Sequence, residues 1–467
     1  MSFRFILILF FSLNNLCALK ADWVSDFISK KENDTVKIFI DRIVIFGNEV
    51  TKDEVIRREM GTKENSILDI ETLKEDIERL YNLGLFTKID VMPLPVGDNK
   101  FNIVITVEES FYLIPIPILN IKESDFSKIQ VGANVLWRNF SGMNQTLGLS
   151  FALGYEPFVN LYYFNPWLGK KSHFFTSLNL SYYKTVNKSI SFGNNSNEIQ
   201  NKSDIAKYDN LNFKAEFSLG KYYSKYFSVS SLIGYNSLTV SEYQSGRTVS
   251  SSGKDEFLML SFNLNFDKRD NIFYTTYGSY FNAKYIRYNS FNNEIGFNKF
   301  SLDLRKFVPV KMAKDYYITL ASRELYSMPF GGNVPTYLNE VIGFDNLVRG
   351  WNGKVMNGEY IFCSFSEIRI PVLKPFFVEG KNHLIINKLP VFKDLSYKYG
   401  FFITPFFDIG AVWNRSDNFG KTQFRSGYGL GIDAMFPFNI VGRLDFALRN
   451  QNSKFYSQFI FFLNASF

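Results

Sequence analysis

Gln145–Tyr155, QTLGLSFALGY, alternates without a break. Leu147, Leu149, Phe151, Leu153 and Tyr155 fall on one side, and Thr146, Gly148, Ser150, Ala152 and Gly154 on the other. Successive side chains of a β-strand point to opposite faces. The segment therefore reads as a strand with one wholly apolar face and one tiny or hydroxylated face. The same sidedness returns in Asn212–Leu219, where Phe213, Ala215, Phe217 and Leu219 oppose Asn212, Lys214, Glu216 and Ser218. It returns again in Phe257–Lys268 and Gly427–Phe436, where Leu260 and Leu430 lie on the apolar side. A soluble sandwich also alternates, but its second face is seldom so rich in Gly, Ser, Asn and charge. Lipid outside and a wet lumen inside account for both faces at once.

Composition points the same way, although alone it leaves a soluble all-β protein open. Aromatic residues reach 18%, with 51 Phe and 27 Tyr, and hydrophobic residues 46%. The mean hydropathy is nevertheless −0.09. Apolar and polar residues are therefore interleaved rather than blocked. No stretch offers eighteen or so consecutive apolar residues, so no helical membrane span is expected. The net charge of +7 is spread over scattered Lys and Arg, which fits solvated loops and lumen and makes no case for nucleic acid. Cys17 and Cys363 are the two cysteines, and His173 and His383 the two histidines. That spacing offers no metal cluster, and no cofactor is expected.

Residues 1–21, MSFRFILILFFSLNNLCALKA, place Arg4 before an apolar run from Phe5 to Leu13, as in a secretory signal peptide. Cys17 lacks the small residues expected just before a lipidated cysteine. Residues 37–109 have a different texture. Lys37–Phe46 ends at the turn signal Gly47-Asn48, and Thr51 with Glu54 three residues on reads as a capping box. Ile70, Leu73, Ile77, Leu80 and Tyr81 recur at helical spacing up to Gly84. Strands follow near 86–92 and 101–107. The fold expected is an all-β transmembrane barrel of about sixteen antiparallel strands over 111–467, preceded by one small α+β (β-α-α-β-β) periplasmic domain over 37–109. That domain is expected to touch the barrel through few residues. The long polar segments 185–207 and 241–254 are expected at opposite ends of the barrel. Phe467 closes the last strand, with Phe459, Phe461 and Leu463 on its face.

Five segments in order resemble one family. Gly343–Trp351, GFDNLVRGW, resembles the Val-Arg-Gly-aromatic motif of the BamA/TamA-type outer-membrane assembly barrels, and Phe406–Trp413, FFDIGAVW, resembles their Phe-x-Asp-x-Gly-x-x-Trp strand. Asn165-Pro166-Trp167 looks like their Asn-Pro-aromatic strand end. Phe266–Gly278, FDKRDNIFYTTYG, looks like their Asp-x-Arg turn without its usual Pro, and the small domain is similar to a POTRA domain. The chain departs from BamA itself, which carries five POTRA domains, and from two-partner secretion transporters, which carry two and a plug helix. The resemblance implies that the loop bearing Val348, Arg349, Gly350 and Trp351 folds back into the lumen, with Arg349 meeting acidic residues of nearby strands. Strand phase nominates Asp408 and Glu367 as those partners. It also implies that the aromatic Phe467 acts as a C-terminal assembly signal.

Pro115 and Pro117 in Phe111–Ile121 lack N–H donors at i and i+2, which marks a weak seam in the first strand. Such a seam can open sideways and template a client strand. The function expected is insertion or translocation of proteins at the outer membrane of a Gram-negative-type bacterium. The periplasmic domain would receive clients or partners. Partners would be outer-membrane lipids, unfolded outer-membrane or secreted proteins, and accessory periplasmic proteins or lipoproteins. The alternative is a passive diffusion pore or structural barrel with a docking domain. No Gly-x-Ser-x-Gly elbow, metal-ligand cluster or phosphate loop appears, so no enzyme is expected.

Overall fold

The computed structural model describes residues 38–467 apart from 98, 122–127, 170–172, 188–207, 293, 315, 344–347, 383–395, 437–439 and 464–466. The signal-peptide reading of 1–21 lies outside the described residues.

The N-terminal unit runs β1 (Phe39–Phe46), α1 (Asp53–Glu59), β2 (Ser66–Ile67), α2 (Ile70–Asn82), β3 (Phe86–Gly97) and β4 (Lys100–Glu109). Its sheet has the order β2-β1-β4-β3, with β1 and β4 parallel. The two-residue β2 adds a strand to the expected β-α-α-β-β order. Leu73 and Leu80 of α2 and Val55 and Ile56 of α1 bury against Ile40, Ile103 and Ile105 of the sheet. Asp69 caps α2 by accepting from the Thr72 N–H. Gly84 ends it at a φ of +65°, where a Cβ would be disfavoured. The capping box at α1 does not form. Lys52 is the residue at the cap and no side chain caps the helix. The Thr51 hydroxyl is engaged elsewhere, as described below.

The rest is one antiparallel sheet of sixteen strands. They are β5 (Leu113–Ile121), β6 (Ile129–Phe140), β7 (Gln145–Gly154), β8 (Phe158–Leu168), β9 (Phe174–Asn187), β10 (Tyr208–Tyr222), β11 (Phe227–Val240) and β12 (Lys254–Arg269). They continue as β13 (Gly278–Ser290), β14 (Gly296–Ala313) and β15 (Tyr316–Phe330). A hairpin of β16 (Glu340–Ile342) and β17 (Met356–Gly358) interrupts the order, and β18 (Tyr360–Glu379) pairs directly with β15. The wall ends with β19 (Ser396–Trp413), β20 (Arg425–Phe436), β21 (Ile440–Gln451) and β22 (Lys454–Leu463). Every neighbour is next in chain order apart from the step over the hairpin. Among the described residues no ladder joins the two edges, β5 and β22.

One side of the wall is apolar and exposed. Leu149, Phe151, Phe213, Leu260, Leu430 and Phe461 are among the exposed large side chains. Their neighbours of opposite phase, such as Asn212, Ser261 and Asp433, are buried. A soluble domain would hide the first set and expose the second. The inversion is what lipid requires. Turns 141–144, 223–226 and 270–277 lie at the end that carries the small domain. Loop 241–253 leaves the opposite end. The ends of β9 and β10 at Asn187 and Tyr208 lie beside that loop's strands, through Asn210 opposite Val240. The strand ends at Asn187 and Tyr208 and the loop 241–253 therefore lie at one end, not at opposite ends as expected, while residues 188–207 themselves lie outside the described residues. The strand before each of the two segments runs away from the small domain.

The last strand is also corrected. β22 ends at Leu463, and Phe467 does not continue its apolar side. Phe467 is buried, with its ring 6.0 Å from that of Phe307 and 6.4 Å from that of Phe365.

Candidate functional site: a charged cluster in the lumen

Strand phase turns Glu367 and Arg369 of β18, Thr404, Phe406 and Asp408 of β19, Asp433 of β20, and Arg443 and Asp445 of β21 to the inside of the wall. All eight are buried. Onto them comes the segment 331–359 between β15 and β18. Its first limb is fastened to one side of the barrel: Tyr337 donates to Asp255 at 2.7 Å, and Lys299 of β14 donates to the Leu338 carbonyl at 3.0 Å. Its second limb reaches the opposite wall with Val348–Trp351.

Arg349 donates to Asp408 through its backbone N–H (3.1 Å), Nε (2.6 Å) and Nη2 (2.5 Å). Its Nη1 donates to Glu367 at 3.3 Å and lies 3.8 Å from Asp445. The guanidinium carbon sits 3.7 Å from the centre of the Phe406 ring. Both forks of a planar guanidinium are used, a geometry that a lysine cannot copy. Glycines clear the path. Gly350 has a φ of +91°, and its carbonyl accepts from Arg449. A Cβ on Gly427 would strike the Arg349 carbonyl, and one on Gly410 would come within 2.9 Å of Val348. Trp351 is buried and donates its indole N–H to the Ser426 carbonyl at 2.9 Å.

The cluster extends past the residues nominated from sequence. Arg369 donates to Glu367 (2.8 Å), to the Thr275 carbonyl (2.5 Å) and to the Phe467 carbonyl (3.0 Å). Arg443 pairs with Asp445 at 2.7 Å and stands 3.7 Å from Asp433 and from Glu367. Tyr274 donates its hydroxyl to Asp433 at 3.0 Å. Tyr274 and Thr275 belong to the turn of the FDKRDNIFYTTYG segment, so that turn folds up into the barrel. Three arginines thus face four carboxylates in a water-poor setting. Such groups persist buried only when each has a partner. Alternation marks Asp433, Arg443 and Asp445 as inward-facing, but only the tertiary arrangement brings them to Arg349. Pro115 and Pro117 lie in β5, opposite Val135 and Ala133 of β6, at the open edge and away from this cluster.

The small domain closes on the near end of the barrel through many contacts, which corrects the expectation of few. The Asn82 side chain donates to the Asp270 carbonyl at 3.1 Å and accepts from the Ile272 N–H at 3.2 Å. Tyr226 donates to Glu75 at 2.7 Å and Tyr277 to Glu78 at 2.9 Å. Asn139 donates to the Thr51 hydroxyl at 2.8 Å, which also meets Tyr112 at 2.9 Å. This draws the hydroxyl away from the helix end. Arg58 lies 5.1 Å over the Trp167 ring.

A sixteen-stranded transmembrane barrel with a loop clamped inside it, behind one small α+β domain, defines a class of membrane barrel. The chain belongs to the Omp85 superfamily: a model described as the Omp85 superfamily domain matches residues 139–467. A POTRA model, described as a surface antigen variable number repeat, matches residues 38–110. The outer membrane protein assembly factor BamA of Neisseria meningitidis serogroup B is 35% identical over 75 residues, which cover 16% of this chain and 9% of that protein. The shared stretch thus spans under a tenth of that relative. Among solved structures, CdiB from Escherichia coli has a TM-score of 0.58 at 10% identity, covering 92% of this chain and 76% of that one. BamA from Haemophilus ducreyi lacking POTRA domains 1–3 has a TM-score of 0.50 at 19% identity, covering 91% and 85%. These likenesses are of fold.

Proposed function

We infer that the chain inserts or translocates proteins at the outer membrane of a Gram-negative-type bacterium, with its POTRA-like domain in the periplasm. The observation that carries this reading is that, among the described residues, no ladder joins β5 to β22. An edge strand offers unpaired N–H and C=O groups to an incoming strand. In β5 the prolines 115 and 117 withhold donors, which disfavours a continuous ladder to the last strand. The POTRA-like domain receives unfolded outer-membrane or secreted clients, or accessory periplasmic or lipoprotein partners. Its edge strand β3 is the surface for extended peptide. The Arg349 loop braces the wall while the seam works, and outer-membrane lipids surround the apolar exterior. The work is mechanical: no catalytic residue and no cofactor take part.

The deciding experiment places the purified chain in liposomes and adds an unfolded test barrel. Faster acquisition of the folded form than in empty liposomes supports the reading. Steady ion conductance in planar bilayers with no stimulated insertion or translocation would instead favour a passive pore. The loop segment 331–359, anchored on both sides of the lumen, speaks against a wide open pore.

A further inference from the structure

On the lipid-facing side of β14, β15 and β18 a polar patch carrying both charges interrupts the apolar band. Cross-strand register sets Lys306 of β14 beside Ser322 of β15, and Ser322 beside Ser366 of β18. Glu324 lies two residues along β15 from Ser322 and pairs with Ser364 of β18. In-phase neighbours show that these five point outward: Val308, Leu320 and Ile368 are exposed, whereas Phe307, Ala321 and Glu367 are buried on the luminal side. Along each strand the polar residues are bracketed by apolar ones, Leu304 and Val308, Leu320 and Tyr326, Phe362 and Ile368. The patch therefore lies within the lipid-facing band. Other outward ionisable residues, among them Lys184, Lys221, Glu256, Lys268 and Arg287, lie near strand ends. Among the described residues neither Lys306 nor Glu324 is in an ion pair. A recess of about 460 Å³ opens here, lined by Lys306, Leu320, Ser322, Ser366, Ile368 and Phe407.

A cation and a carboxylate facing hydrocarbon without an ion-pair partner are costly, and Ser322 supplies Glu324 with a hydrogen bond but no opposite charge. Intramembrane ionisable groups are kept where something pairs with them. Both signs occur side by side on neighbouring strands, so the patch is complementary to itself. Two copies inserted in one membrane with the same orientation are related by a two-fold axis along the membrane normal. That operation swaps left and right across the contact and brings the β14 side of one copy against the β15 side of the other. Lys306 then faces the partner's carboxylate, and each copy contributes both halves of the pairing. The serines, which donate and accept, line the contact. The geometry points to this patch as a docking surface for a second copy of the same chain. The site lies on the wall between β14 and β18, away from the β5–β22 seam, so both seams of the pair stay free.

The inference rests on the membrane-spanning reading of the barrel and not on its transport activity, and the test separates them. In the full chain carrying Cys363→Ala, a cysteine is introduced by Ser322→Cys, or as a control by Leu161→Cys on the exposed opposite wall. Membranes are then oxidised. Failure to reach the membrane as a heat-modifiable barrel would count against the barrel reading itself. A disulfide-linked homodimer from Ser322→Cys, and little from Leu161→Cys, is expected. Lys306→Glu or Glu324→Lys alone, each checked for heat-modifiable folding, should cut the yield about tenfold, as loss of a close interfacial charge pair does. The double reversal Lys306→Glu/Glu324→Lys should restore it, which a merely structural role would not produce. Equal yields at the two positions, a link to a different protein, or no rescue by the double reversal would overturn the proposal.

Discussion

Arg349 is held by three donors to one carboxylate and a fourth to another, all out of water. Removing one partner of a buried charged group costs more than the pair itself contributes, because the other is left uncompensated. Arg349→Ala should therefore lower barrel stability by roughly 3–5 kcal/mol in denaturant unfolding, and impair insertion or translocation. Arg349→Lys should recover little, since one ammonium cannot serve both oxygens of Asp408 and reach Glu367. The double variant Arg349→Ala/Asp408→Ala should cost clearly less than the two single changes added together, because the orphaned charge is gone. Simple additivity would mean that the two side chains do not depend on each other. Gly350 and Gly427 belong to the same device. A side chain at Gly427 has no room beside the Arg349 carbonyl, so Gly427→Ala should loosen the loop while leaving the charges in place. Increased protease cutting within 331–359 would report it.

Among the described residues, β5 and β22 differ from every other wall strand in having one partner ladder each. β10, by contrast, is paired on both sides from Asn210 to Lys221. Amides on unpaired edges open with little free energy. Hydrogen exchange in lipid should be faster in β5 and β22 than in β10 and β11. Comparable protection would argue for a closed seam. A cross-link tests the function of that edge. With Cys363 replaced by alanine, cysteine pairs scanned across the seam, one on the luminal side of β5 and one on that of β22, should form a disulfide on oxidation where the two strands are juxtaposed. That bond should suppress insertion or translocation of test proteins, and reduction should restore it. Activity untouched by a formed disulfide would sink the lateral-opening reading.

The whole molecule is tied together at the turn 270–277. Its outer residues hold the POTRA-like domain through Asn82 and Glu78, while Tyr274 and Thr275 enter the charged cluster. The combined change Asn82→Ala/Tyr277→Phe should release α2, with faster exchange there and an unaltered heat-modifiable barrel. An unchanged exchange pattern would mean that these contacts do not hold the domain in place. What the sequence determined by itself was the barrel and its sidedness, because a period of two with one fatty and one wet face leaves few other ways to satisfy both solvents. It determined the small domain as well, since helical spacing and Gly84 act over a few residues. Alternation was enough to turn Asp408, Glu367, Asp433, Arg443 and Asp445 inward. The tertiary structure decided the rest. Thr51, a good helix cap by local rules, instead accepts from the side chain of Asn139, 88 residues away. Phe467 leaves the line of β22 for Arg369 because a buried guanidinium still needed an acceptor and the lumen offered apolar rings beside it. Which inward-facing charges meet depends on strands far apart in the chain and on a loop that crosses between walls. Local pattern carries no record of distance through space, and electrostatic pairing inside the lumen is settled by that distance and by burial from water.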